Sequence, residues 1–116
     1  MNLSTIVPPS LLARGRSLAH ELGVDEQAFE RSVCIELLDA LDDGVAVLGG
    51  DVYRETVDAI EPDYANWSCE RLPGESAIEF ARRSKEAARS YITRYNEPSD
   101  TTILYVLVID ESVRAR

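Results

Sequence analysis

Few residues of this chain have the type and spacing that chemistry requires, although 21 of its 116 residues are acidic. His20 is the sole histidine, so an acid–base dyad or a His-rich metal site would have to be built around one imidazole; it reads as a helix residue without a role. Cys34 and Cys69 show no CxxC spacing, which leaves neither a zinc motif nor a redox pair. Gly49 and Gly50 follow an apolar run, where a phosphate-cradling turn belongs, but no Lys follows and Asp51 brings an anion to the turn. Asp51, Glu55, Asp58, Glu61 and Asp63 carry the oxygens that Mg²⁺ or Ca²⁺ takes, and paired carboxylates can serve as general acid and base. Their spacing matches no EF-hand loop, and nothing singles out one pair. The reading is no catalytic residue, no cofactor and no metal ligand, with a small acidic hydrolase using a divalent cation as the first alternative.

The charge says more about partners. Twelve bases against 21 acids give −9, a field that repels nucleic acid and anionic membrane surfaces and attracts basic proteins. It is uneven: residues 25–43 sum to −6, residues 51–75 to −5, and residues 76–96 to +3. No apolar run approaches the ~20 residues that span a bilayer, and residues 1–9 lack the pattern of a secretory signal, so a cytoplasmic location with reduced thiols is expected.

These residues need a scaffold, and 116 residues suit one domain, 1–116, with an extended tail at 1–9. Ser10 can cap a first helix carrying Leu11, Leu18, Ala19 and Leu22, ended by Gly23. Asp25 can cap a second, with Val24 and Phe29 as a hydrophobic staple and Phe29, Val33, Cys34, Leu37, Leu38 and Leu41 as its buried stripe. Its other face would show Glu26, Glu30, Glu36 and Asp39. A strand follows from Val45 to about Tyr53, interrupted by the two glycines, where a bulge or close backbone approach is expected. Residues 54–73 are weakly patterned: Thr56, Val57, Ala59 and Ile60 suggest a short strand before a turn at Glu61, Pro62 and Asp63. Ser76 and Glu79 form a capping box for a third helix with Ala77, Phe80, Ala81, Ser84, Ala88, Tyr91, Ile92 and Tyr95 inward. Thr101–Ile109 is apolar on both parities and reads as a central strand. The order predicts an α+β fold: a small two-layer domain with two N-terminal helices and a sheet of two to four strands. A crossover through the third helix would set the two apolar strands parallel.

The run Leu48, Gly49, Gly50, Asp51, Val52, Tyr53, then Asn66 and Trp67, then Gly74, Glu75 and Ser76 opening a helix, resembles the immunity protein 40 family of bacterial polymorphic toxin systems. The likeness extends over roughly residues 30–110 and includes the last apolar strand. It implies a small α+β protein that binds and neutralises a cognate toxin. The expected toxin-binding residues are Asp51, Tyr53, Glu55, Asp58, Asp63, Tyr64 and Trp67, aromatic anchors interleaved with acids, with Glu26, Glu30, Glu36 and Asp39 as a second patch. The expected partner is a basic protein, with no nucleic acid and no membrane. A homodimer, pairing the basic third helix of one copy with the acidic helix of another, is the second alternative.

Overall fold

The computed structural model describes residues 7–19 and 26–110. His20, Leu22, Gly23, Val24 and Asp25 fall outside them, as does the expected tail before Val7.

The first helix is a single turn, α1 (Pro9–Leu12), and does not reach Leu18. Pro9 starts it, since its ring presets φ and its missing N–H has no helical partner to lose; Ser10 therefore sits inside the helix and is not its cap. After the helix the chain passes Phe29 closely: a Cβ on Gly15 would lie 2.4 Å from the Phe29 ring. Two short strands follow, β1 (Arg16–Ser17) and β2 (Gln27–Ala28), paired antiparallel. The backbone of Phe29 then exchanges both hydrogen bonds with Tyr105, at 2.9 and 2.8 Å.

Because residues 27–29 are committed to that pairing, the second helix, α2 (Arg31–Ala40), begins six residues after Asp25, with Glu30 at its N-cap. Phe29 is buried, but beside the sheet and not on the helix stripe; Val33, Cys34, Leu37 and Leu38 are buried along the helix as expected.

β3 (Val47–Glu55) and β4 (Ile60–Ser68) form a hairpin closed at Thr56–Ala59, where the Thr56 hydroxyl accepts from the amides of Asp58 and Ala59. Glu61, Pro62 and Asp63 thus lie within a strand and not in a turn. β4 is an edge strand, where proline's missing donor is tolerated. The long helix α3 (Ala77–Arg94) and β5 (Thr102–Ile109) complete the fold.

The sheet order is β4-β3-β5 with antiparallel neighbours, so β3 is central and β3 and β5 are not parallel. The extra strand explains this. β4 reverses the chain before the helical crossover, so the crossover joins β4 to β5 and places β5 against β3 in the opposite sense.

β5 is still buried on both parities. Ile103, Tyr105 and Leu107 face the helices together with Val47, Val52, Val33, Leu37 and Ile92. Leu104 and Val106 face Leu18, Ala28, Ile60 and Tyr53 on the other side.

α3 opens with the capping box: Ser76 Oγ accepts from the Glu79 amide at 3.1 Å and Glu79 accepts from the Ser76 amide at 2.8 Å. Further along, fully buried Ser84 accepts from the Val47 amide at 2.9 Å and donates to the Ala81 carbonyl at 3.0 Å. Ser84→Ala leaves the first ladder amide of β3 without a partner inside the core. A loss of about 2 kcal/mol is expected, read as a melting temperature lower by roughly 6–10 °C. An unchanged melting temperature would show that water reaches that amide.

Candidate functional site

The two glycines are the seat of Trp67. A Cβ on Gly50 would stand 2.3 Å from the indole Cη2 and 2.3 Å from the Val106 carbonyl oxygen, and one on Gly49 would stand 2.2 Å from the Trp67 carbonyl oxygen. The indole thus lies across bare backbone on the helix-facing side of the sheet. It stacks on Tyr91 with centroids 4.7 Å apart, and Tyr91, Tyr95 and Tyr105 continue the file at 5.8 and 5.9 Å. Its Nε1–H is buried without a hydrogen-bond partner. Trp67 is partly buried against the core, and Gly50 is the means of fitting its ring.

Strand alternation divides the other expected residues. Asp51, Tyr53 and Glu55 fall on the face opposite the helices. Tyr53 packs on Leu18, Ala28, Ile60, Leu104 and Val106, and its hydroxyl pKa is raised by burial and then by the nearby carboxylates of Asp51 and Glu26. Glu55 pairs with Arg16 at 3.2 Å. Asp63 points to the helices, where it accepts from the Tyr95 hydroxyl and pairs with Arg54 at 3.2 Å. Burial and that bond to Asp63 both raise the Tyr95 pKa. Asp58 stands at the exposed hairpin tip beside Val57, which is fully exposed. Tyr64 is 87% exposed and has φ of +56°. The seven residues share one hairpin but not one face.

The second patch is not a helix face. Glu26 precedes β2 and Glu30 is the α2 N-cap; Glu36 and Asp39 are on the helix, paired with Arg14 and Arg89. Arg89 belongs to α3, and Lys85 of α3 donates to the Asp42 carbonyl at 2.6 Å. The basic and acidic segments that could have paired between two copies therefore meet within one chain.

Arginine neutralises the acids unevenly. Glu30, Glu36, Asp39, Glu55, Glu61, Asp63, Glu75 and Glu97 each have an arginine partner. Glu26, Asp51 and Asp58 have none among the described residues. A two-pronged pair closes the β4–α3 connection: Arg83 grips both Glu75 oxygens, at 2.7 and 2.9 Å, and also the Glu70 carbonyl. With the Leu72 amide, this holds the Glu75 carboxyl down at about 2. The turn it closes has Pro73 at its second position and Gly74, at φ +80°, at its third, as a type II turn requires.

For chemistry the arrangement offers little. No group of three or more His, Cys, Asp or Glu is placed to hold a metal among the described residues; the five carboxylates of the hairpin are split between faces or tied to arginine. Burial pushes the Cys34 thiol up to about 12, far from a nucleophile's range. An open cleft of about 340 Å³ adjoins Arg31 and Glu97, whose polar groups are engaged in packing the C-terminal end of α3. No described helix is long and apolar enough to cross a membrane.

The sequence reading missed the exposed pair Leu48 and Val108, at 37% and 38%, on the sheet face away from the helices. Both lay in apolar runs that implied burial on either side. The bulge between Val47 and Gly49, which sets Leu48 outside the ladder with β5, has no signal but the glycines.

No curated protein and no solved structure matches the chain. The sequence model of the immunity protein 40 family matches residues 17–109, from β1 to the last residue of β5, including the Gly49–Gly50 seat, Trp67 and the capped α3. By a match over most of its length, the chain belongs to the immunity protein 40 family.

Proposed function

We propose that the protein binds a cognate toxin of a polymorphic toxin system in the cytoplasm of the producing cell and neutralises it stoichiometrically, without catalysis. The observation that carries the choice of surface is the uneven pairing of carboxylates. On the hairpin itself, Glu55, Glu61 and Asp63 are spent on arginines, while Asp51 and Asp58 have no arginine partner among the described residues and are left for a toxin to meet. A basic toxin would be steered to the β3–β4 hairpin by this field, with charge setting the association rate and buried contacts the residence time. Asp63, Tyr53 and Trp67 shape the hairpin from within; Asp51, Asp58 and Tyr64 meet the toxin.

The test is co-expression with the open reading frame beside this gene. Its product is expected to arrest growth alone and to be harmless with this protein. Asp51→Asn with Asp58→Asn should slow association about tenfold at low salt, and hardly at high salt, with an unchanged melting temperature. A harmless neighbour, or toxicity that this protein leaves untouched, sinks the reading.

A further inference from the structure

Tyr64 combines three properties that internal packing does not explain. All eight aromatic residues lie in the described segments, and the other seven are buried or half-buried; Tyr64 alone is exposed, at 87%. Its backbone is left-handed at φ +56°, a conformation that suits Gly or Asn and strains a bulky side chain. It also stands in a bulge of the outer strand. Val52 pairs with Ala65 and Tyr53 with Pro62, which leaves Asp63 and Tyr64 as two extra residues.

The residues around it are held. Asp63 is fixed by Tyr95 and Arg54, Ala65 packs on the core, and Pro62 has a preset φ. Strain kept at an exposed ring on a rigid platform indicates use by a partner. A tyrosine so presented loses little further freedom on docking, and its ring brings a large apolar area with a polar tip.

We infer that Tyr64 is the anchor by which this protein grips its toxin, and that it fits an apolar pocket of the toxin with a cationic rim. The rim follows from the two hairpin carboxylates that no arginine pairs among the described residues, Asp51 and Asp58, since Glu55, Glu61 and Asp63 are engaged by Arg16 and Arg54. This rests on the toxin-binding reading above.

The test compares full-length wild type and Tyr64→Asn, which removes the ring and suits the left-handed backbone. The melting temperature should be unchanged or up to roughly 5 °C higher, while affinity for the protein encoded beside this gene should fall at least roughly thirtyfold. Equal binding by the variant overturns the anchor and leaves the toxin reading standing. A melting temperature lower by more than roughly 5 °C overturns it independently of any toxin, because Tyr64 would then be serving the fold. Absence of binding by the wild type overturns both.

Discussion

Gly50→Ala should destabilise the protein by about 3 kcal/mol or more and lower its melting temperature by roughly 10 °C or more. The added Cβ meets two obstacles at once, each at 2.3 Å: the edge of the Trp67 ring and the carbonyl oxygen of Val106. A flexible side chain could swing aside, but the first obstacle is a ring stacked on Tyr91 and the second is backbone hydrogen-bonded within the central ladder. Against a typical total of roughly 5–15 kcal/mol for a small domain, such a loss is severe.

The cause can be separated. Trp67→Phe removes Cη2 along with the buried Nε1–H that has no partner, so alone it should cost little for a change of this size. In the Gly50→Ala background it should restore about 1 kcal/mol, with the clash at the Val106 oxygen accounting for the remainder. Thermal unfolding of the two single variants and the double variant measures the coupling. Additive losses would mean that Gly50 and Trp67 do not share the seat. The result also bears on the glycine pair that carries the family likeness, because it assigns that pair to architecture.

How much of this was legible depended on whether the signal was local. α3 was readable because Ser76 and Glu79 close their capping box within four residues and the inward stripe then repeats at helical spacing. Val33, Cys34, Leu37 and Leu38 were readable as buried for the same reason. The start of α2 was not. Phe29 and its neighbours continue the helical pattern, but Tyr105, far along the chain, claims their backbone. β4 was hidden by Glu61, Pro62 and Asp63, turn formers in isolation that an edge strand accepts, and its omission reversed the expected sense of β5. In the candidate site, the glycine pair pointed correctly to a close backbone approach. The exposure of Tyr64 was unreadable, since it follows from a two-residue bulge defined only by the register of β3 on β4.

Arg31→Ala should cost about 2–3 kcal/mol, although the residue is partly exposed. α3 has no glycine after its last turn; Tyr95 at its C-cap is extended, at φ −62° and ψ 133°. Arg31 does the capping from a distance. Its Nε donates to the Ile92 carbonyl at 3.0 Å and its Nη2 to the Tyr95 carbonyl, while Glu97, 3.5 Å away, balances its charge and accepts from the Tyr105 hydroxyl at 2.6 Å. Truncation strips two carbonyls of their common donor and a carboxylate of its counter-charge. Arg31→Lys should recover less than half of the loss, because an ammonium cannot reproduce the fork that spans both carbonyls. Hydrogen exchange should localise the damage to the last turn of α3. The effect should then travel: Tyr95 holds Asp63 through its hydroxyl, and Asp63 adjoins Tyr64 in the bulge, so loosening the helix end loosens the platform of the proposed anchor. A variant within about 0.5 kcal/mol of wild type would show that water caps α3 as well as Arg31 does.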